Sequence, residues 1–187
     1  KTSIFRMLTT LLLPDSGSAK VLGYDVVKDD QEIRKEVGYM PGRFSLYQDL
    51  SVEENLNFYA TLFGTTVEEN IDLIRDIYVQ IEPFKKRRAG KLSGGMKQKV
   101  ALARALCLNP ALFLMDEPFA SLDAQTRTSM QNLLVDLNKK KEMTVLFVTH
   151  DILEALNISD RIVVLGDTII DIPLNIPKEH RLKNNEI

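Results

Sequence analysis

Two segments constrain this chain more than any others. Leu92-Ser93-Gly94-Gly95-Met96-Lys97-Gln98 opens an amphipathic run, and Leu112-Phe113-Leu114-Met115-Asp116-Glu117 is an apolar run that ends in two adjacent acids. The first places a serine and two glycines at the mouth of a helix, where backbone N–H groups point at an anion. The second reads as a buried strand with two carboxylates at its tip, suited to holding Mg²⁺ and an attacking water. Phosphate chemistry accounts for both segments at once.

The rest of the pattern frames them. Residues 2–13 read as a helix ended by Pro14-Asp15-Ser16-Gly17. Residues 20–24 and 37–40 read as short strands, the second stopped by Pro41-Gly42. Between residues 52 and 82 two apolar faces recur at helical spacing. The first is Leu56, Phe58, Tyr59, Leu62 and Phe63; the second is Ile71, Leu73, Ile74, Ile77 and Ile81. Because no strand interrupts this stretch, it reads as a helical subdomain inserted into an α/β core. Residues 93–107 form a further helix. The second half alternates: strand 111–115, helix 124–140 capped by Asp123, strand 144–149, helix 151–158 and strand 161–165. Its strands are continuous apolar runs, as in a parallel sheet covered on both faces. Strand–helix repetition of this kind predicts a doubly wound layer.

Bulk properties exclude some classes. The 187 residues suit one domain with an insertion. A 44% apolar share supports a core, and a net charge of −2 gives no nucleic-acid surface. Lys85-Lys86-Arg87-Arg88 and Lys139-Lys140-Lys141 read as solvated faces. The single Cys107, in an apolar helical stretch, reads as a small core residue in a reducing compartment. The apolar runs fall well short of the ~18 residues a membrane helix needs, and no signal peptide is read. Service to a membrane would therefore be as a peripheral cytoplasmic subunit.

The order and spacing of four segments resemble the ATP-binding subunit of ABC transporters. Ser93-Gly94-Gly95 is similar to the family's signature, with Met96 where glutamine is usual; Leu112–Glu117 resembles its Walker B strand. Ala120-Ser121-Leu122-Asp123 resembles the D-loop, and His150 after Phe147-Val148-Thr149 the switch histidine. Lys1-Thr2 resembles the last two residues of a P-loop, whose glycine-rich part does not appear in the sequence. The resemblance implies an α/β fold: a P-loop NTPase-like, mostly parallel sheet flanked by helices, with the helical subdomain inserted. The expected division is partial core 1–42, helical subdomain with signature helix 43–103, core 104–172 and polar tail 173–187.

It also implies ATP and Mg²⁺ as cofactors. Thr2 and Asp116 would hold the metal, while Lys1, Thr2 and Ser3 would meet the phosphates. Glu117 would be the base for the attacking water, and His150 would bond the γ-phosphate. Ser93, Gly94, Gly95 and Asp123 would reach nucleotide held by a second ATP-binding subunit, packed head to tail. Transmembrane permease subunits would dock on residues 43–91, with a solute-binding protein as a further partner and no nucleic acid. The site would work on the cytoplasmic side of the membrane, and the sequence as it stands would bind ATP poorly.

Two departures stand out. Gly42 occupies the place of the family's hinge glutamine, leaving no side chain there to bind Mg²⁺ and loosening the hinge. Residues 10–100 resemble multidrug-exporter ATPases, through Ser45-Leu46-Tyr47 and Val52-Glu53-Glu54-Asn55-Leu56. Residues 101–177 resemble nitrate, sulfonate and taurine importers, through Phe119-Ala120-Ser121-Leu122-Asp123. Two alternatives to a transport ATPase stay open: a non-hydrolysing interaction module of the same fold, and a soluble ATPase of the same kind.

Overall fold

The computed structural model describes residues 2–42, 46–141 and 143–175. The first helix, α1 (Thr2–Leu8), is shorter than the 2–13 predicted. Thr10 adopts a left-handed φ of 59°, and the N–H groups of Leu11 and Leu12 turn back to the Arg6 carbonyl at 2.7 and 3.0 Å. A β-branched residue in that region ends a helix before any proline is reached. The predicted strand 20–24 is instead two antiparallel pieces, β1 (Lys20–Val21) and β2 (Tyr24–Asp25). Leu22 (φ 52°) and Gly23 (φ 88°) turn between them, both left-handed as a tight hairpin requires. Helix α2 (Asp30–Glu36) follows; its Arg34 donates to the Oγ1 and carbonyl oxygen of Thr10, pinning the end of α1. Strand β3 (Val37–Met40) comes next.

The helical stretch contains α3 (Val52–Leu62), α4 (Ile71–Ile81) and α5 (Gly94–Leu106). Helix α3 opens on a reciprocal cap: Glu54 N–H donates to Ser51 Oγ at 3.2 Å, and Ser51 N–H to Glu54 Oε2 at 2.7 Å. Leu56 and Ala60 of α3, Ile74, Ile77 and Ile81 of α4, and Val100 and Leu102 of α5 bury against one another. Each large aliphatic so buried contributes about 1.5–3 kcal/mol. Arg104, 5% exposed, is held in this core with its guanidinium 4.0 Å from the centroid of the Tyr59 ring.

Strand β4 (Leu112–Asp116) is the middle of a three-stranded parallel sheet in the order β3-β4-β5, β5 being Thr144–Val148. Met40 faces Met115 across one ladder and Asp116 faces Val148 across the other. Phe113, Leu114 and Met115 are fully buried. Helices α6 (Ala124–Lys141) and α7 (Ile152–Ile158) connect the later strands and pack together through buried Gln131, which donates to Glu154 at 3.1 Å.

Two expectations are corrected. Strand β6 (Arg161–Leu165) does not extend the parallel sheet; it pairs antiparallel with β7 (Ile169–Pro173) in a separate two-stranded sheet. The loop 166–168 is short enough to force a hairpin, and Pro173, assigned to the tail, closes it opposite Arg161. Nor are the strands uniformly covered: β4 is, whereas Leu146 of β5 and Val163, Val164 and Leu165 of β6 are exposed. Most of the expected tail, residues 176–187, lies outside the described residues, as does the Arg43–Ser45 start of the expected helical subdomain.

Candidate functional site

The parallel pairing of β4 with β5 brings their carboxyl ends side by side, where open α/β sheets offer space for ligands. Asp116, the last residue of β4, is 6% exposed. A carboxylate so buried is costly without partners; Thr2 Oγ1, at the start of α1, donates to its Oδ2 at 2.6 Å. Although 114 residues apart in sequence, the two supply a hydroxyl and a carboxylate to one point. Both are hard oxygen donors, the set that suits Mg²⁺. Among the described residues no three His, Cys, Asp or Glu side chains gather around one point. Mg²⁺ does not require that, since it is held through one or two carboxylates plus phosphates and water.

Glu117 leaves the strand with φ 48°, a left-handed conformation in a residue other than glycine. Its N–H donates to Val148 O at 2.9 Å, and its carbonyl accepts from Ala120 N–H at 3.3 Å. The turned backbone aims the side chain at β5, and Oε2 lies 3.2 Å from His150 Nδ1. The imidazole is mostly exposed and the Glu117 side chain about two-fifths exposed, so both face an open space. Just beyond, Asp151 caps α7, with Oδ1 accepting from Leu153 and Glu154 N–H at 2.9 and 3.1 Å. That cap fixes the loop carrying His150. Ser3 is exposed on α1. Lys1 lies outside the described residues.

The other candidates form a separate group at the starts of α5 and α6. Ser93 Oγ accepts from Met96 N–H at 3.4 Å, a helix cap. Gly95 is explained inside the chain: a Cβ there would meet Thr126 Cγ2 of α6 at 2.6 Å. Its lack of a side chain therefore serves close helix packing as well as any approach of phosphate. Asp123 Oδ1 accepts from Thr126 N–H at 3.0 Å, and this bond holds the Asp123 carboxyl below its ordinary range. Thr126 thus ties Asp123 to the signature helix. Gly94 is half-buried at the same helix start.

Sequence reading missed two residues here. Gln98, 1% exposed, donates from Nε2 to Pro118 O at 2.5 Å and so joins α5 to the segment after Glu117. Arg127 donates to Leu122 O at 3.0 Å and lies 3.5 Å from Asp151 Oδ2, joining the Asp123 loop to the start of α7. A polar residue on an otherwise apolar helix face was the available signal for Gln98; nothing local marked Arg127.

Comparison with known proteins shows the family and the fold. A family model described as ABC transporter matches residues 1–120. The probable multidrug ABC transporter ATP-binding protein YbhF of Escherichia coli (strain K12) is 45% identical over 139 residues, 73% of this chain and 24% of that protein. The taurine import ATP-binding protein TauB of Roseobacter denitrificans is 35% identical over 185 residues, 97% of this chain and 66% of that protein. The chain thus spans about a quarter to two thirds of these relatives. A solved ATP-binding subunit of an ABC transporter superposes with a TM-score of 0.75 at 26% identity, covering 88% of this chain and 69% of the other. A dimeric, post-hydrolysis ATP-binding cassette bound to ADP and Pi superposes with a TM-score of 0.72 at 29% identity, covering 87% and 74%. The fold is that of the ABC ATPases, a parallel sheet flanked by helices, and with its greater part matched by the family model the chain belongs to the ABC transporter family of ATP-binding proteins.

Proposed function

We propose that this chain is the ATP-hydrolysing part of a subunit that powers solute transport across a membrane. The observation that carries the reading is the pair of contacts at the tips of β4 and β5: Thr2 with Asp116, and Glu117 with His150. Thr2 and Asp116 would hold Mg²⁺, which when bound neutralises charge on the phosphates of ATP. Glu117 accepts a proton from the water that attacks the terminal phosphoryl group. His150 donates toward that group and orients Glu117 in its absence. Lys1 and Ser3 would complete the phosphate contacts. This assigns positioning and electrostatics to the protein, which is what phosphoryl transfer demands.

Ser93, Gly94, Gly95 and Asp123 would meet the nucleotide of a second subunit packed head to tail, closing on ATP and parting after hydrolysis. Residues 43–91 would dock to transmembrane permease subunits at the cytoplasmic face of the membrane, with a solute-binding protein as partner if transport is inward. The core and helical divisions at 1–42, 43–103, 104–172 and 173–187 follow from the same reading. The test is Glu117→Gln in the intact protein. Turnover should fall by about 10²–10⁴-fold, the usual worth of a general base, with Mg-ATP binding retained. Unchanged turnover refutes the assignment.

A further inference from the structure

Arg127 lies in the first turn of α6 and serves two loops at once. Its backbone N–H donates to Asp123 O at 2.9 Å, and its Nη2 donates to Leu122 O at 3.0 Å. It therefore holds both carbonyls that border Asp123. The same guanidinium places Nη1 3.5 Å from Asp151 Oδ2. Asp151 directly follows His150, and its other carboxylate oxygen caps α7 through Leu153 and Glu154 N–H. Arg127 Nε is buried without a hydrogen-bond partner among the described residues. A buried unsatisfied donor is a cost, so the guanidinium is placed by the two loops it joins and not by its own best bonding.

Stability does not account for this link. The ion-paired side chains are 31% and 37% exposed, and pairs so open to water contribute little. Helices α6 and α7 are already joined one turn further on, where Gln131 donates to Glu154 between buried side chains. What Arg127 adds is the Leu122 carbonyl. A guanidinium is a planar fork, so its two ends move as one body. Displacing the peptide before Asp123 moves the partner of Asp151 and, through the cap, the loop that carries His150.

We propose that Arg127 is a positioning residue that couples Asp123, on the face offered to a second subunit, to His150, beside the terminal phosphate. Seating of the second subunit on Asp123 then sets the aim of His150 and of the Glu117 carboxylate beside it. The proposal rests on the head-to-tail pairing of subunits and on His150 facing the phosphate.

The test uses the intact protein and three variants. Arg127→Met keeps the stem without the fork, Asp151→Asn keeps a cap without the charge, and His150→Ala removes the imidazole. Steady-state ATP hydrolysis is read beside Mg-ATP calorimetry, thermal melting, and ATP-driven dimer formation by size-exclusion chromatography in a Glu117→Gln background. Arg127→Met and Asp151→Asn should each lose about tenfold in kcat, because aim is lost and not binding. Mg-ATP affinity and dimer formation should hold within about threefold and melting within about 4 °C. Arg127→Met should add no loss of kcat to His150→Ala, since it acts through that residue. Multiplying losses in the double variant overturn the proposal, as does wild-type kcat in Arg127→Met or Asp151→Asn. Weakened dimer formation in Arg127→Met assigns the contact to the interface alone, and a larger fall in melting in both Arg127→Met and Asp151→Asn assigns it to the fold; each overturns the proposal. Absence of an ATP-driven dimer in Glu117→Gln alone removes the head-to-tail pairing. Wild-type kcat in His150→Ala removes the role of His150, and the proposal goes with either.

Discussion

Replacing Asn55 by alanine should unfasten the loop that enters α3. The side chain is fully buried. Its Nδ2 donates to the carbonyls of Tyr47, Leu50 and Ser51 at 3.0, 3.3 and 2.9 Å, and its Oδ1 accepts from Tyr47 N–H at 2.9 Å. The three carbonyls keep other partners after the change. Tyr47 O still accepts from Leu50 N–H, Leu50 O from Ala89 N–H, and Ser51 O from the Asn55 N–H. Tyr47 N–H loses its partner. An unsatisfied donor costs about 1–3 kcal/mol and each lost bond to a satisfied acceptor about 1 kcal/mol or less. With partial access of water beside half-exposed Tyr47, the sum is about 2–4 kcal/mol. For a chain of this size that lowers the melting temperature by on the order of 5–15 °C. Urea denaturation followed by circular dichroism measures it, with m unchanged. The companion Asn55→Asp keeps an acceptor for Tyr47 N–H but sets a carboxylate against three carbonyl oxygens, so at pH 7 it should be at least as harmful as alanine. A loss under about 1 kcal/mol for alanine, or a milder aspartate, refutes the reasoning.

Glu117→Gly should separate stability from activity. Glycine holds the same left-handed φ without the Cβ clash, which relieves about 1–2 kcal/mol, while it costs about 0.5–1 kcal/mol in chain entropy. Melting should therefore stay level or rise by up to about 4 °C as turnover collapses; a fall beyond about 1 kcal/mol would mean that Glu117 is held by favourable contacts and not against strain. Cys107 gives a pH prediction. Burial pushes its thiol up to about 11 from an ordinary 9.0. The unfolded chain therefore loses this proton first as pH rises, so stability is intact below about 9 and declines between 9 and 11. The decline is on the order of 2–3 kcal/mol. Denaturation midpoints across that range should show the decline, and Cys107→Ser should remove it. The native thiol should resist alkylation at pH 8 until the chain unfolds.

The candidate-site end of the fold was legible because its pattern is written in short segments. An apolar run must be buried, acids at its tip must face a ligand or partner, and two such strands joined through a helix lie parallel. Asp116 and Val148 meet across the ladder as that logic requires. What the sequence hid was conformational. Nothing in the letters of Leu22, Thr10 or Glu117 announces a left-handed φ, since side chains that dislike that region adopt it only under tertiary constraint. Helix α2 was missed because its seven residues bury one apolar side chain, Ile33, too few to display a period. Strand β6 looked like its predecessors, but pairing with β7 depends on where the chain turns, and apolar runs do not reveal their partners. Gly95 is read for what approaches from outside, and Thr126 of the same chain adds a packing reason that the letters alone do not show.

The placement of the site follows from an imbalance in rigidity. Strand β4 is locked between two neighbours and buried over Phe113, Leu114 and Met115, so Asp116 is held by a frame that cannot adjust to it. Among the described residues Thr2 is the hydrogen-bond partner of that carboxylate. One neutral hydroxyl satisfies one of roughly four lone-pair sites, leaving an anion short of compensation in a poorly hydrated place. A fold selected for stability alone would have replaced Asp116 with an apolar residue or given it a second donor from the sheet. Glu117 adds a second negative charge beside it, in a strained backbone. The electrostatic cost is offset if a cation and a phosphate group complete the cluster in the working state. On that argument Mg-ADP should stabilise the apo protein by RT ln(1 + [L]/Kd), and Asp116→Asn should weaken that stabilisation by raising Kd in calorimetry.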